Sequence, residues 1–146
     1  SKNNKAYYMA DRLSKMNEIS KNTLGESLGM VLTKIEEGYV EGTMPVDERT
    51  HQPYGRLHGG ATAALAETLG SVGSHFLVEK EGKGAVGVEI NANHLRGVSK
   101  GLVTGKATIV HKGGKMHVWN IDVSDEQERL VAVARLTVMI IPMSNA

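Results

Sequence analysis

A helical segment built largely from small side chains, residues 60–80, constrains the fold more than any other part of the sequence. Leu65, Leu69, Val72 and Phe76 recur at intervals of three or four residues, which predicts an α-helix with one apolar stripe. Most of the remaining positions are Gly, Ala or Ser. Because each glycine inside a helix costs about 1 kcal/mol relative to alanine, such a helix is worth forming only where other backbones approach closely. The segment therefore predicts a central helix that is packed on several sides.

Strand-like segments flank this helix on both sides. Two are predicted before it and four after it, at about residues 30–33, 39–46, 86–93, 102–111, 116–123 and 130–141. An N-terminal helix is predicted from Ala6 to about Ser20, and a short one from Thr23 to Gly29. With the last four strands in hairpin succession, the order of elements predicts an α+β fold, one antiparallel sheet with the long helix on its face.

Two of the predicted strands alternate clearly between faces. In the segment 116–123, Trp119, Ile121 and Val123 are predicted to point inward. In the segment 86–93 the two faces are predicted to carry Val86, Val88, Ile90 and Ala92 on one side and Gly87, Glu89, Asn91 and Asn93 on the other.

Length and composition limit the classes of function. The 146 residues fit one domain, residues 1–146, and contain no apolar run long enough to span a bilayer. Nothing at the start resembles a signal peptide, and the absence of Cys excludes a thiol nucleophile or thiolate metal site, so a cytoplasmic protein is predicted. The net charge of +1 and an aromatic content of 4% argue against a nucleic-acid binder.

The charge is distributed unevenly. Residues 90–121 contain no Asp or Glu, while the remaining chain is net acidic. The acid-free segment carries five cations, Arg96, Lys100, Lys106, Lys112 and Lys115. It is either a solvated sheet face or a local anion site, since clustered cations without acids attract phosphate.

His58, Gly59 and Gly60 stand where the central helix begins. The first N–H groups of a helix have no intrahelical partner, and glycines let a carbonyl oxygen reach them, as in an oxyanion hole. Glu67 follows about two turns later, and Ser71 lies one turn beyond Glu67. A plainer interpretation is a tight turn and a solvated carboxylate. The small side chains around Glu67 favour a cleft instead, where a carboxylate acts as base or nucleophile.

The sequence does not contain the motifs of several other kinds of active or binding site. The sequence contains no Gly-x-Ser-x-Gly elbow and no phosphate-binding P-loop. His111 and His117 have no carboxylate near them in sequence, so no metal site is predicted.

Residues 45–78, with their His-Gly-Gly and the eight-residue step from Gly59 to Glu67, closely resemble the hotdog-fold acyl-CoA thioesterases. The likeness continues through residues 87–96 (Gly-Val-Glu-Ile-Asn-Ala-Asn-His-Leu-Arg) and Val118-Trp119, and covers roughly residues 22–141. Within that family the chain is most similar to the 1,4-dihydroxy-2-naphthoyl-CoA thioesterases and the enterobactin proofreading enzymes. These share an active-site type with the PaaI-like and 4-hydroxybenzoyl-CoA thioesterases that carry a Glu on the helix. Residues 1–21 fall outside the likeness and form an N-terminal extension.

The resemblance implies a helix wrapped by a curved antiparallel sheet, in homodimers or homotetramers whose active sites lie between subunits. It implies no cofactor or metal, because coenzyme A is part of the substrate. The catalytic positions it implies are Glu67 as nucleophile or general base, the Gly59 N–H polarising the carbonyl, His58 and Gln52 orienting the thioester, and Ser71 holding water.

The resemblance also implies two groups of coenzyme A contacts, which both fall in or near the acid-free segment. They are Gly87, His94, Leu95, Arg96 and Gly97, and His111, Lys112, Gly113 and Gly114. The predicted function is therefore hydrolysis of an acyl-CoA, in particular an aroyl-CoA, to the free acid and CoA. Two alternatives are a non-catalytic acyl-CoA-binding hotdog module, which would lack Glu67, and a hotdog hydratase or dehydratase, for which Asp47 and His51 supply the residue types.

Overall fold

A 20-residue helix lies across a six-stranded antiparallel sheet in the computed structural model, which describes residues 1–143. The helices are α1 (Lys2–Ile19), α2 (Leu24–Ser27) and α3 (Gly59–Val78), and a single 3₁₀ turn, Glu79–Glu81, follows α3. The strands are β1 (Val31–Glu36), β2 (Tyr39–Pro45), β3 (Lys83–His94), β4 (Leu102–Lys112), β5 (Met116–Ser124) and β6 (Leu130–Pro142). The predicted α+β class and the predicted central helix are confirmed. Within residues 1–143, no helix is long and apolar enough to cross a membrane.

The strands are ordered β1-β2-β4-β5-β6-β3, so the predicted hairpin succession of the last four strands is wrong for β3. β3 pairs with β6 at the edge of the sheet, whereas β4 pairs with β2 and β5. The connection between β3 and β4 crosses the end of the sheet and is held by the nearly buried Val98, whose carbonyl accepts from the Leu57 N–H at 2.8 Å. A local sequence pattern identifies each strand but not its distant partner.

The small residues of α3 meet the largest side chain of the core. A Cβ on Gly73 would lie 2.7 Å from Cζ2 of Trp119, and one on Gly70 would lie 2.5 Å from Cδ2 of Leu136. Trp119, Ile121 and Leu136 are fully buried. The glycines therefore bring the backbone of α3 into contact with the sheet, which is the close approach that the sequence predicted.

A β-bulge corrects the predicted alternation in β3. The register shifts between Gly87, which pairs with Val138, and Glu89, which pairs with Thr137, leaving Val88 as the extra residue. Val138 is buried toward the core, so its partner Gly87 also faces α3. Val86 and Val88 instead lie on the exposed side, away from Ile90 and Ala92.

The N-terminal helix begins earlier than predicted and packs on the rest of the chain. Leu13 and Met16 lie against the core, and the Asn17 side chain both donates to and accepts from the Leu32 backbone, at 2.9 and 3.0 Å. Arg12 forms an ion pair with Glu79 just beyond the end of α3. That residues 1–146 form one domain, with 1–21 as an extension, stays a prediction.

Candidate active site

Glu67 lies against β3 at the bulge. A Cβ on Gly87 would be 3.4 Å from Oε2 and 3.6 Å from Oε1 of Glu67, so the carboxylate occupies the space above this glycine. Glu67 is exposed and makes no hydrogen bond or ion pair with the side chains or backbone of residues 1–143. The carboxylate is therefore free to meet a ligand.

The helix presents one face that the sheet does not cover. At 3.6 residues per turn, Gly60, Ala64, Glu67 and Ser71 share a stripe, and all four are exposed or half-buried. The buried residues of α3, among them Leu65 and Leu69, lie on the opposite side. We call this uncovered stripe, residues 60, 64, 67 and 71, the open face. It places the Ser71 hydroxyl one turn beyond Glu67, as predicted.

The start of α3 holds one free donor. His58 caps the helix, since its Nδ1 accepts from the Gly60 N–H at 2.7 Å, while its own N–H donates to the Thr50 carbonyl at 2.8 Å. The carbonyl of His58 accepts from Ala61. The N–H of Gly59 has no acceptor among residues 1–143. Of the two glycine N–H groups that the sequence offered for an oxyanion hole, only that of Gly59 is unoccupied.

The end of β3 meets the start of α3. A Cβ on Gly59 would lie 2.9 Å from Nε2 of His94, so a side chain at residue 59 would displace the imidazole. Just beyond, a Cβ on Gly97 would lie 3.3 Å from Cδ of Arg56. Leu95 and Arg96 stand exposed between them. The structure thus brings His94, Leu95, Arg96 and Gly97 near the Gly59 donor, whereas Gly87, the fifth residue of this predicted group, lies beside Glu67.

Gln52 opens a tight turn before α3. Its N–H donates to the Arg56 carbonyl at 2.7 Å, and its carbonyl accepts from the Gly55 N–H at 2.9 Å. The side-chain Oε1 accepts from the Tyr54 N–H. Gln52 therefore lies on the same side of the fold as His58 but is oriented by its own loop.

Gly59 and Glu67 are separated along α3. Eight residues of helix correspond to about 12 Å. This separation is several times the distance that one carbonyl group can bridge, namely the C=O bond plus one hydrogen bond. The Cα atoms of these two residues are therefore well separated within one chain.

The second predicted group of coenzyme A contacts lies at the other end of the sheet. His94 pairs with Ala132 of β6, whereas Lys112 pairs with His117, which pairs with Val138. Six residues of β6 between these two levels correspond to about 20 Å. The acid-free segment is therefore not one continuous anion site.

In the folded sheet, acidic residues from outside the acid-free segment lie beside one of its cations. Lys106 on β4 lies opposite Glu41 of β2 and Asp122 of β5. Cross-strand partners of opposite charge compensate each other, which a count along the sequence does not show.

The turn between β4 and β5 holds the remaining predicted residues. The Gly113 N–H donates to the Met116 carbonyl at 2.8 Å, and a Cβ on Gly113 would lie 2.8 Å from Nε2 of His111. His111, Lys112 and Gly114 are exposed. The turn therefore offers a cationic surface, separate from Glu67 and Gly59.

The pair proposed for a hydratase is already engaged. Hydrogen bonds from Arg49 hold the pKa of Asp47 below its usual value, and the Asp47–Arg49 ion pair spans 2.6 Å. His51 Nε2 contacts the Ser99 carbonyl at 2.9 Å. These contacts hold the loop together and leave the two side chains without a shared reaction centre.

Sequence reasoning missed a buried polar chain behind α3. The Trp119 N–H donates to Ser74 Oγ at 2.7 Å, and Ser74 Oγ lies 2.8 Å from His117 Nδ1. Ser74 Oγ accepts from Trp119, and a hydroxyl group can still either donate to His117 Nδ1 or accept from it. Burial, with the positive charges of Lys112 and His111, lowers the pKa of His117 below its usual value. The alternation of His117 with Trp119 was the signal that could have revealed it.

No group of three or more His, Cys, Asp or Glu side chains within residues 1–143 could hold a metal ion.

A helix wrapped by an antiparallel sheet, with a free carboxylate on its open face and a free N–H at its start, is the arrangement that the resemblance to hotdog-fold thioesterases implied. The model of the Thioesterase superfamily matches residues 54–132, more than half of the chain. The chain belongs to this superfamily.

Individual relatives agree with that assignment. The chain is 48% identical over 124 residues to the proofreading thioesterase EntH of Klebsiella pneumoniae, covering 85% of this chain and 90% of that protein. It is similar to the crystal structure of thioesterase HI1161 from Haemophilus influenzae, with a TM-score of 0.86 and 45% identity over 90% of this chain and 91% of that one. A mutant of thioesterase PA1618 from Pseudomonas aeruginosa gives a TM-score of 0.87 and 42% identity over 90% and 94%.

These relationships confirm the predicted hotdog fold and the predicted class of enzyme, a thioester hydrolase. They also support the predicted acyl-CoA thioesterase activity.

Proposed function

We propose that the enzyme hydrolyses acyl-CoA thioesters, in particular aroyl-CoAs, with Glu67 as the catalytic carboxylate. One observation carries this proposal: Glu67 lies on the open face of α3, above Gly87, with no partner among residues 1–143. A carboxylate in such a position can attack the thioester carbonyl or take a proton from an attacking water. The other acidic residue considered for catalysis, Asp47, is paired with Arg49.

The proposed reaction breaks the C–S bond and forms a C–O bond with water. The Gly59 N–H polarises the carbonyl oxygen and stabilises its developing negative charge. His58 and Gln52 orient the thioester, and the Ser71 hydroxyl holds the water near Glu67. The proton that water loses passes through Glu67 to the departing CoA thiolate. The products are the free acid and CoA, and the reaction uses no cofactor or metal.

The proposed active site combines two subunits. Gly59, His58 and Gln52 come from one subunit, and Glu67 and Ser71 come from its partner in a homodimer or homotetramer. The separation of about 12 Å between residues 59 and 67 along α3 supports this arrangement, because one chain does not span it with a single carbonyl group.

The proposed coenzyme A contacts are likewise divided between subunits. Gly87 lies beside Glu67, and His94, Leu95, Arg96 and Gly97 lie near Gly59, with Arg96 as the exposed cation for a phosphate. The turn formed by His111, Lys112, Gly113 and Gly114 lies about 20 Å from His94 along the sheet, and would then reach a ligand bound at His94 from another subunit. A cytoplasmic location, where CoA thioesters are made, stays part of the proposal.

The test is release of thiol from a panel of aroyl-CoAs and aliphatic acyl-CoAs, followed with a thiol-reactive dye. Wild type is compared with Glu67→Gln, and with Glu18→Gln as a control for the same change at an exposed position of α1. Loss of a general base predicts a fall in kcat of at least about a hundredfold for Glu67→Gln. Full activity of Glu67→Gln would refute the assigned residue. Saturable binding of acyl-CoAs without turnover by wild type would instead identify a binding module.

A further inference from the structure

A cavity of about 600 Å³ lies between α1 and the end of α3. Its walls come from four parts of the chain: the first half of α1, the end of α3 with its 3₁₀ turn, the turn between β1 and β2, and the end of β4. Phe76, which lines it, follows Glu67 by nine residues, or about two and a half turns, so the two side chains lie on opposite sides of the helix. The cavity is therefore separate from the open face.

The half-buried residues of the wall are aromatic or apolar. The rings of Tyr8 and Phe76 have their centroids 6.1 Å apart and are tilted by 33°. Met9 and Leu77 also line the cavity, and all four residues are half-buried. The Tyr8 hydroxyl donates to Glu79 Oε1 at 3.4 Å, so its proton is already engaged. This part of the wall therefore offers a ligand apolar and aromatic contact.

The exposed residues of the wall are mostly cationic. Lys80 Nζ lies 4.6 Å from the centroid of the Tyr8 ring, and Lys112 reaches the cavity from the end of β4. Neither lysine forms an ion pair within residues 1–143. A third cation, Lys5, lies 3.9 Å from Glu37, the carboxylate that lines the same cavity. The lining side chains are therefore net positive, with two lysines free to pair with a ligand.

Apolar contact beside unpaired cations suits a molecule with an apolar body and one anionic end. A cation over a ring face is attracted by the ring, so Tyr8 holds Lys80 next to the apolar surface. The charged and apolar parts of the wall are therefore close enough for one small molecule to meet both.

We propose that this cavity is a second ligand site, which binds a carboxylic acid with a hydrocarbon body. Lys80 pairs with the carboxylate, and Tyr8 and Phe76 contact the hydrocarbon. At about 30 Å³ for each water-sized group, the cavity holds roughly twenty non-hydrogen atoms. A two-ring aryl acid and a medium-chain fatty acid both fit within this volume. Binding here requires none of the residues assigned to the thioester carbonyl.

The test uses NMR of protein labelled with carbon-13 at the methionine methyl groups. Met9 lines the cavity, whereas Met44 is fully buried in the core, so Met9 reports binding and Met44 serves as the internal reference. The Met9 signal is identified with Met9→Leu. The probes are 2-naphthoate and decanoate. Two matched probes separate the contributions, since 2-naphthamide has the rings without the charge and inorganic phosphate has charge without an apolar body.

We expect the Met9 signal to shift saturably with at least one of the two acids, and the Kd to rise about fivefold in Lys80→Gln. Tyr8→Leu removes the ring and weakens binding by a similar factor. Lys100→Gln, at an exposed position near the opposite end of β4, and Tyr7→Leu, at an exposed position of α1 outside the cavity, bind as wild type does. Response to 2-naphthoate alone assigns an aryl acid, and response to decanoate alone assigns a fatty acid.

Several results would overturn the second site. They are an unchanged Met9 signal with both acids, equal Kd values in Lys80→Gln and Lys100→Gln, and binding of 2-naphthamide or inorganic phosphate as tight as that of the acids. An unchanged Met44 signal in each variant shows that the fold is retained. A Met9 signal that shifts with protein concentration instead, together with a changed elution volume in size-exclusion chromatography, would assign the cavity to a contact between copies of the chain.

Discussion

The carboxylate of Glu67 lies against the backbone of Gly87, within 3.4 Å of where a Cβ would stand. Two features of β3 produce this contact. Residue 87 has no side chain, and the bulge at Val88 lets Gly87 and Ile90 face the helix together. The space around the carboxylate therefore depends on a strand that is distant from Glu67 in sequence.

This contact predicts the effect of side chains at residue 87. Gly87→Val places a branched side chain in the volume of the Glu67 carboxylate, so kcat is expected to fall at least about tenfold, as for a misplaced catalytic group. Gly87→Ala puts its methyl group at ordinary contact distance and is expected to have the smaller effect. Thiol-release kinetics and a thermal melt of each variant check this. Equal kcat values for wild type and Gly87→Val would show that the carboxylate does not act from this position.

Arg96 is expected to act through binding. Arg96→Ala should raise KM for an acyl-CoA about fivefold and change kcat little, because a phosphate contact is shared by ground and transition states. The effect is expected to be larger at about 0.01 M than at about 1 M ionic strength, since the Debye length falls from about 30 to about 3 Å. Arg135→Ala, an exposed arginine on the outer face of the sheet, is the control. A large loss of kcat with unchanged KM would contradict the assigned role.

Gly73 is expected to tolerate no side chain. Its Cβ would lie 2.7 Å from Cζ2 of the fully buried Trp119, and neither the helix backbone nor the indole has room to move. The overpacking cost of about 3 kcal/mol exceeds the gain of about 1 kcal/mol from replacing glycine in a helix. Denaturant unfolding of Gly73→Ala should therefore show a net loss of about 2 kcal/mol. For comparison, Gly114→Ala, where no atom lies within 4 Å, should retain wild-type stability.

His117 predicts how stability depends on pH. Its pKa is lowered in the folded protein, so the unfolded chain binds a proton at His117 more readily. The contribution of His117 to the free energy of unfolding is fully present above the unfolded pKa of about 6.5. It is lost as the pH falls from there toward the lower pKa of the folded state. The free energy of unfolding of wild type should decrease between about pH 8 and about pH 5, and less steeply in His117→Gln. His94→Gln serves as the control at an exposed histidine, and identical slopes in all three proteins would exclude His117 as the source.

The sequence predicted α3 and the residues on it because their relationship is local. Once residues 60–80 are assigned to a helix, its period fixes the positions of Gly59, Glu67 and Ser71 relative to one another. The observed helix, Gly59–Val78, keeps those positions. The small residues likewise indicated close packing without specifying that Trp119 is what they contact.

Features that depend on distant pairing could not be predicted in the same way. The bulge at Val88 exists because β3 is aligned with β6, about 50 residues later in the chain. The hydrogen bond between Ser74 and His117 spans 43 residues. For the same reason, a count of cations along the sequence did not show that the sheet places Lys106 between acidic residues from other strands.

The bulge in β3 also determines where the chain could change in length. With Val88 removed, Gly87 would still face α3, Glu89 would take the outward position, and Ile90 would still face inward, because regular alternation would then run through the strand. Removing any single residue between Ile90 and His94 would instead reverse every side chain on one side of the deletion. In an alignment of related chains, a one-residue gap within this strand is therefore expected at Val88, and the remaining positions are expected to vary only by substitution.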